Sequence, residues 1–343
     1  MNYDAVLVLS FGGPEAREDV MPFLQNVLRG RNVPEERMLE VAEHYYHFGG
    51  RSPINQQNRE LIAALEKEME HHGPQLPVYW GNRNWSPYLA DTLQQMKDDG
   101  VKKALAYVTS AFSSYSGCRQ YRENILAAQA QVGEGAPQID KLRVFYNHPG
   151  FIGPMTENVQ TALLKLPANV REQAQVIYTA HSIPTSMASG SRYVPQLEEA
   201  CRLISGALSR TGDTLAYQSR SGPPTQPWLE PDILDYLRKV KESNSHPAVV
   251  ICPVGFTSDH MEVMYDLDTE AQELCAELRL PMIRAATVGS HPRFITMIRD
   301  LIMERMDPTA PRRALGNMGP SHDVCPLDCC PAPQRPAVRA NGK

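Results

Sequence analysis

Short apolar runs that stop abruptly in polar, Gly- or Pro-containing loops most constrain the fold of this chain. The clearest are residues 5–14 (AVLVLSFGGP), 103–114 (KALAYVTSAFSS), 176–193 (VIYTAHSIPTSMASGSRY) and 249–258 (VVICPVGFTS). A β-branched and apolar run closed by turn residues is typical of a strand that is buried on both faces. Because helical patterns follow these runs, the sequence predicts an α/β fold with parallel sheets flanked by helices.

A weak internal repeat relates the two halves of the chain. Residues 6–14 parallel residues 176–184, and residues 104–114 parallel residues 248–258. Repeats of this kind predict two similar units, whose sheets would face a shared cleft.

The domain boundaries follow from this repeat and from a change in composition near the C-terminus. We assign residues 1–150 to the first domain and residues 151–290 to the second. An amphipathic helix at 291–306 is expected to pack back on the first domain. Residues 307–343 are rich in proline, lack apolar periodicity and contain three cysteines, so we expect an irregular extension ordered, if at all, by what the cysteines bind.

Composition and missing motifs disfavour several functional classes. The 343 residues carry a formal net charge of -5, which gives no support for binding to nucleic acid. No apolar run is long enough to span a bilayer and no signal-peptide pattern is present, so a cytoplasmic location is expected. Neither Gly-x-Gly-x-x-Gly nor Gly-Lys-Ser/Thr occurs, which disfavours a nucleotide-binding domain.

Two stretches combine residue types that carry chemistry. His181 falls where a predicted strand ends, a position at which it can ligate a metal, accept a proton or simply hydrogen-bond the turn. Glu262, Asp266 and Glu270 recur every fourth residue of a predicted helix that Ser258 or Asp259 would cap. These carboxylates form either a solvated acidic face or a ladder that guides a divalent cation or relays protons.

These stretches resemble the signature motifs of the ferrochelatases. The matching segments are Thr-Ala-His-Ser-Ile-Pro at 179–184 with Tyr193, Pro-Val-Gly-Phe-Thr-Ser-Asp-His-Met-Glu at 253–262, the stretch from Gln218 to Pro231, and Ser-Phe-Gly-Gly-Pro at 10–14. The resemblance runs from about residue 3 to residue 306, and the motifs together are highly specific.

The resemblance implies a chelatase fold of two Rossmann-like domains with a porphyrin cleft between them. The implied reaction, a step of heme biosynthesis, inserts Fe²⁺ into a porphyrin and releases two pyrrole protons. His181 and Glu262 correspond to the iron-binding and proton-handling pair of the family, and Asp266 with Glu270 to its acidic iron path. We expect a neutral His181 to accept a proton and Glu262 to ligate or deliver the metal, although the roles could be reversed.

Further segments resemble the coproporphyrin ferrochelatases of Gram-positive bacteria, especially the actinobacterial type: residues 28–31 (LRGR), 81–85 (GNRNW) and 113–121. They imply that coproporphyrin III is the substrate and coproheme the product. The four propionates of coproporphyrin need cationic and hydroxyl partners. Positions that match or neighbour the substrate contacts of the family are Phe11, Arg29, Tyr45, Ser52 and Tyr121.

Two residues depart from the coproporphyrin pattern, and they leave alternatives open. Phe11 stands where many of these enzymes have a tyrosine able to ligate iron, and Leu28 stands where an arginine is common. Arg29 and Arg31 are either an anion clamp or a solvated surface pair. The alternatives are a protoporphyrin IX ferrochelatase and a non-catalytic tetrapyrrole- or metal-binding protein on the same scaffold. For each of these functions we expect the protein to be a monomer or a weak dimer.

The seven cysteines are too few and too scattered for a secreted disulfide framework. Cys325, Cys329 and Cys330 are close together and read as metal ligands, and soft thiolates select Zn²⁺ or an iron–sulfur cluster. Some ferrochelatases hold a [2Fe–2S] cluster with three C-terminal cysteines and one internal cysteine, which implies such a cluster here. For the internal ligand we favour Cys118, which begins a helix beside a loop. An unligated, redox-sensitive thiol group is the alternative.

Overall fold

Two four-stranded parallel sheets form the framework of the protein. The computed structural model describes residues 2–30, 33–222 and 225–332; Arg31 therefore lies outside the described residues. The first sheet consists of β1 (Ala5–Ser10), β2 (Val78–Asn82), β3 (Lys103–Val108) and β4 (Gln138–Lys141), in the order β2-β1-β3-β4. The second consists of β5 (Gln175–His181), β6 (Thr214–Gln218), β7 (Val249–Cys252) and β8 (Met282–Arg284), in the order β6-β5-β7-β8.

The two sheets have the same topology. In each, the first strand lies between the second and the third, and the fourth strand forms an edge. β1 is thus equivalent to β5, and β3 to β7, which are the pairs that the internal sequence repeat relates. The predicted α/β fold with parallel sheets flanked by helices is confirmed.

Helices connect the strands and cover both sheets. They are α1 (Val20–Val27), α2 (Glu35–His47), α3 (Ile54–His72), α4 (Leu89–Asp98), α5 (Gln120–Val132), α6 (Pro149–Lys165), α7 (Ala168–Arg171), α8 (Thr185–Ser189), α9 (Tyr193–Ala207), α10 (Ile233–Ser243), α11 (Met261–Val263), α12 (Gln272–Glu277) and α13 (Pro292–Met306). A 3-10 turn (Arg17–Asp19) precedes α1, and π-helical segments precede α5 (Tyr115–Arg119) and α12 (Met264–Ala271). Within the described ranges, no helix is both long and apolar enough to cross a bilayer.

The largest hydrophobic core belongs to both halves. Alternate residues of the central strands point into it, such as Val6 of β1 and Tyr178 of β5, together with Phe294 of α13. The opposite faces of the two sheets have cores of their own. α13 packs against both α3 and α6, so it joins the halves instead of packing on the first domain alone. An apolar stripe in the sequence shows that one helix face is buried, but not which partner covers it.

The segment after α13 is irregular but is held firmly by the rest of the protein. Residues 307–332 contain no helix or strand. Arg143 forms a buried ion pair with Glu304 at 2.7 Å and also donates to the carbonyl of Arg313 at 2.9 Å. The Asn147 side chain donates to two further carbonyls of the segment. We expected that only a group bound by the cysteines could order the extension. For residues 307–332 this is wrong, because buried charges and amides of the rest of the protein also hold the segment.

Candidate functional site

His181 is the last residue of β5, at the carboxyl edge of the second sheet. Ligands bind at this edge in open parallel α/β sheets. Its ring Nδ1 hydrogen-bonds the carbonyl oxygen of Ser182, so Nδ1 carries the proton of that bond and Nε2 points toward Glu262. The hydroxyl of Tyr193 donates to the backbone carbonyl of His181 at 3.0 Å. Two neighbouring groups thus fix the ring and the end of the strand.

Glu262 lies in α11, which follows the loop at the carboxyl end of β7. The residue that caps this helix is His260, and its side chain makes no capping hydrogen bond. The predicted cap, one or two residues earlier, is wrong because Asp259 is occupied elsewhere. Its carboxylate pairs with Arg284 at 3.2 Å, and its backbone N–H donates to the side chain of Gln57 on α3 at 2.9 Å. These contacts tie the start of the helix to both halves of the molecule.

His181 and Glu262 face one another, with Nε2 and Oε2 3.6 Å apart. Burial of the ring favours a lower pKa for His181, but the charge and hydrogen bonding of Glu262 outweigh this and raise the pKa to about 9. Burial likewise favours a higher pKa for Glu262, whereas the positive charge of His181 lowers the pKa to about 2. Both groups are ionised near neutral pH. The neutral imidazole expected from the sequence is therefore not the resting state of this pair.

The three helical carboxylates interact electrostatically along α11 and the π-helical segment that follows. Burial and the charges of Glu262 and Glu270 raise the pKa of Asp266 to about 7, although a hydrogen bond from the Ser219 hydroxyl opposes this. Gln218 also donates to Asp266, at 3.2 Å. Burial and two nearby carboxylates raise the pKa of Glu270 as well. An acid with a pKa near 7 can both take up and release protons at neutral pH.

Three polar residues beside the pair were not singled out from the sequence. Gln218 and Ser219 hold Asp266, as described above. Burial and the positive charge of His181 lower the pKa of His260, against the opposing charge of Glu262. A signal for His260 was available, since it lies two residues before Glu262 in the same motif.

The first half of the molecule also places side chains near the pair. Burial and the charge of Glu262 raise the pKa of the Tyr45 phenol on α2. The ring of the preceding residue, His44, stacks on the ring of Tyr265, with centroids 3.6 Å apart. Helix α2 of the first half therefore contacts the π-helical segment that carries Asp266 and Glu270 in the second half.

Four of the five predicted substrate-contact residues lie around the loop that follows β1. The rings of Phe11 and Tyr45 both pack on Phe23, at centroid distances of 6.2 and 5.8 Å. Ser52 is buried against the same loop, and Tyr121 is buried near the start of α5.

Arg29 is the exception among these predicted contacts. It lies exposed just after α1, where its guanidinium bonds the side chain of Asn26. Its role as a substrate contact stays a prediction.

The C-terminal cysteines lie beside Cys118. The sulfur of Cys118 hydrogen-bonds Cys325, and those of Cys329 and Cys330 are 3.6 Å apart. Lys141 donates to the Cys118 sulfur at 3.1 Å. The hydrogen bond with Cys325 and the charge of Lys141 lower the pKa of Cys118 to about 5, against the effect of burial. The remaining cysteines are buried in the second half, in α9, β7 and α12.

A histidine that the sequence analysis overlooked also lies at this cluster. The donor atoms of His322, Cys325 and Cys329 all lie within 4.8 Å of one another, an arrangement that can hold a metal ion. Arg122 fixes the cysteine loop by donating to the carbonyls of Cys325 and the two residues that follow. The signal was the spacing of His322, three residues before the first cysteine.

The architecture is that of the chelatases. SirB from Bacillus subtilis with Fe³⁺ superposes with a TM-score of 0.52 at 12% identity, over 89% of this chain and 98% of that chain. A multi-domain protein from Deinococcus radiodurans, DR2241, described as structurally similar to chelatases, gives a TM-score of 0.52 at 13% identity, over 88% of this chain and 55% of that one. At such low identity these likenesses concern the fold alone.

Sequence relatives identify the family. The ferrochelatase family model matches residues 3–306. The ferrochelatase of Rhodopirellula baltica is 57% identical over 98% of this chain and 96% of its own length. The coproporphyrin III ferrochelatase of Streptomyces coelicolor is 53% identical over the same shares of the two chains. The chain belongs to the ferrochelatase family. It is a metal chelatase, an enzyme of the lyase class that inserts metal into a porphyrin, and the non-catalytic alternative is excluded.

Proposed function

We propose that this enzyme inserts Fe²⁺ into coproporphyrin III to form coproheme, with His181 and Glu262 as the reacting pair. The observation that carries the proposal is the 3.6 Å approach of an imidazole and a carboxylate at the carboxyl edge of the second sheet. Their side chains are 31% and 48% exposed, so they are open to the cleft between the halves. A carboxylate and an imidazole are together able to hold a ferrous ion and to move protons.

The first step in this proposal is the binding of Fe²⁺ by Glu262. The carboxylate is ionised throughout the neutral range, because the pKa of Glu262 is lowered to about 2. A cation bound there cancels the negative charge that keeps the proton on His181. The pKa of His181 then falls, and the proton on Nε2 leaves toward Asp266, whose pKa of about 7 suits a relay.

Two pyrrole N–H bonds break as Fe²⁺ binds the four porphyrin nitrogens. The neutral Nε2 of His181 accepts these protons in turn, and each passes to the carboxylates Asp266 and Glu270 and then to water. Charge is balanced, because one Fe²⁺ replaces two protons. Tyr193 and the carbonyl of Ser182 serve this step by keeping the ring aligned.

The choice of coproporphyrin rests on the residues around the cleft and on the relatives. Several relatives near 50% identity are coproporphyrin III ferrochelatases, including that of Streptomyces griseus at 53%. Coproporphyrin has four propionates, so it gains more from cationic and hydroxyl groups than a two-propionate porphyrin does. Phe11 favours a second candidate, protoporphyrin IX, because a phenyl ring cannot ligate iron as a tyrosine can.

Side-by-side iron insertion without air tests the substrate. Purified enzyme, Fe²⁺ and either coproporphyrin III or protoporphyrin IX in detergent are mixed, and the porphyrin bands are followed. We expect kcat/KM to be at least about tenfold higher for coproporphyrin, because each charge-assisted hydrogen bond is worth about 1.5–3 kcal/mol. An equal or higher kcat/KM for protoporphyrin IX contradicts the proposal that coproporphyrin III is the substrate. Failure to insert iron into either porphyrin contradicts the function itself.

We further propose that Cys118, Cys325, Cys329 and Cys330 hold a [2Fe–2S] cluster. Two thiolates on one tetrahedral metal lie roughly 3.8 Å apart when each bond is about 2.3 Å, which agrees with the 3.6 Å between Cys329 and Cys330. The hydrogen bond between the two thiols lowers the pKa of Cys118 and raises that of Cys325, which makes Cys118 the thiolate of the pair. Such a cluster supplies one-electron redox capacity, and Arg122 and Lys141 position its ligands.

Iron and sulfide assays on anaerobically purified protein test the cluster. We expect about two of each per chain, together with visible absorption, and loss of both in Cys118→Ser. The matched control is Cys275→Ser, a buried helix cysteine of the second half, which should keep the cluster. Colourless protein, or protein with zinc in place of iron and sulfide, contradicts the proposal. A cytoplasmic location and a monomer or weak dimer stay predictions.

A further inference from the structure

Arg83 lies at the carboxyl edge of the first sheet, among the residues expected to contact substrate. It is the first residue after β2, and its backbone N–H donates to the carbonyl of Ser10 at the end of β1, at 3.0 Å. Its side chain is half-buried, unlike the exposed Arg29.

The guanidinium of Arg83 is fixed by three side chains. Its central carbon lies 4.6 Å from the centre of the Tyr121 ring and 5.6 Å from that of Phe11. Its Nε donates to the side-chain oxygen of Asn124 at 2.7 Å. Aromatic faces attract cations without neutralising them, so these contacts orient the group but leave its positive charge uncompensated.

No carboxylate forms an ion pair with Arg83 in the described part of the chain. The acidic residue next to Asn124, Glu123, is already occupied, since it accepts hydrogen bonds from the Tyr115 hydroxyl and from Arg119. An arginine is always charged, and a half-buried one without an anion is costly to desolvate. The arrangement is that of a cation positioned in advance for an anionic ligand.

We propose that Arg83 binds a propionate carboxylate of the porphyrin, and that it contributes to the preference for carboxylate-rich substrates. Because Asn124 occupies Nε, the two terminal NH₂ groups remain to donate, and they match the two oxygens of a carboxylate. The inference rests on the proposed function, since it assumes that porphyrin occupies the cleft. It gives the chain a cationic contact although Leu28 replaces the arginine common in related enzymes.

Porphyrin binding measured without metal tests this role separately from catalysis. Coproporphyrin III is titrated into wild type, Arg83→Gln and Arg83→Lys while the tryptophan fluorescence is followed. We expect Kd to rise about tenfold or more in Arg83→Gln and less in Arg83→Lys, which keeps the charge but loses the planar fork. The neutral tetramethyl ester of coproporphyrin, in detergent, should bind all three proteins with similar Kd, since it offers no carboxylate.

The matched control is Arg59→Gln. Arg59 also lies over an aromatic ring, that of Trp80 at 5.4 Å, but it is exposed and paired with Glu15. Its coproporphyrin Kd should equal that of wild type. The inference is overturned if the Kd for coproporphyrin III is the same in wild type and Arg83→Gln, or if Arg83→Gln raises the Kd for coproporphyrin III and for its tetramethyl ester equally. Either result leaves the proposed function intact. A wild-type enzyme that fails to insert iron into coproporphyrin III refutes the proposed function instead.

If circular dichroism shows that Arg83→Gln does not fold, the Kd and KM are measured for Arg83→Lys instead. A Kd unchanged in that variant together with an unchanged KM for iron insertion overturns the inference. A raised KM with kcat within about threefold of wild type supports it, because a contact made equally in the ground state and the transition state changes binding alone.

Discussion

Replacing Glu262 with glutamine is expected to lower the pKa of His181. In the wild-type protein the carboxylate outweighs the burial of the ring and raises the pKa from its ordinary value of 6.5 to about 9. Glutamine keeps the size of the side chain but removes the charge, so that only the hydrogen bond to Ser182 and the charge of Asp266 still oppose the effect of burial. We expect a pKa of about 6.5 or lower, a fall of at least about 2.5 pH units.

Nitrogen-15 labelling of the ten histidines and NMR titration measure this pKa directly. The signal of His181 is assigned from its loss in His181→Asn, and the titration is run without porphyrin or metal. Glu273→Gln is the matched control, because it removes a carboxylate of α12 that does not contact His181. A wild-type pKa at or below 6.5, or the same pKa in Glu262→Gln, refutes the reasoning.

The same pair gives the pH dependence of stability. Since folding raises the pKa of His181 above 6.5, its stabilisation is complete below pH 6.5 and is lost as the pH rises through about 9. Folding lowers the pKa of Glu262 from 4.5 to about 2, so its stabilisation is present above pH 4.5 and is lost as the pH falls through about 2. The stability gap between wild type and Glu262→Gln should be widest from pH 4.5 to 6.5. It should shrink in high salt, because the pair is open to solvent.

Two further substitutions test how the site and the extension are held. Tyr193→Phe removes the hydroxyl that donates to the carbonyl of His181 at the end of β5. We expect the free energy of unfolding, measured in urea, to fall by about 1 kcal/mol and kcat to fall measurably. If neither value changes, Tyr193 does not position His181. Arg143→Met removes both close guanidinium hydrogen bonds of the buried Glu304 carboxylate and leaves only Arg312, at 3.8 Å, and should cost about 3–5 kcal/mol. The exposed pair of Arg238 provides the control, since Arg238→Met should change the unfolding free energy by less than about 1 kcal/mol.

The sequence predicts the sheets well because their signal is local. A continuous apolar run such as β1, buried along its whole length, can hardly be anything but a central parallel strand. The core shared between the halves could not be predicted, because it depends on which faces meet in space. The π-helical segment after α11 was also missed, since a four-residue spacing of carboxylates is equally compatible with an α-helix.

The site shows the same division between local and spatial information. His181 and Glu262 could be named from their motifs, but the charge on His181 depends on a 3.6 Å distance that no spacing encodes. Arg29 was selected by resemblance and its role stays a prediction, whereas the approach of Arg83 to Phe11 and Tyr121 is visible only in the structure. The spacing of His322 from Cys325 is visible in the sequence, but its approach to the sulfur of Cys329 is visible only in the structure.

The rate of iron insertion by His181→Ala tests the central claim most directly. Enzyme saturated with coproporphyrin III is mixed with Fe²⁺ in an anaerobic stopped-flow instrument. The control is His246→Ala, which changes a half-buried histidine of the second half that hydrogen-bonds the carbonyl of Gln173. We expect a rate of iron insertion at least about 100-fold below wild type, because the proton acceptor is gone, and a Kd for coproporphyrin within about threefold of wild type. A His181→Ala enzyme that inserts iron at the wild-type rate contradicts the central claim.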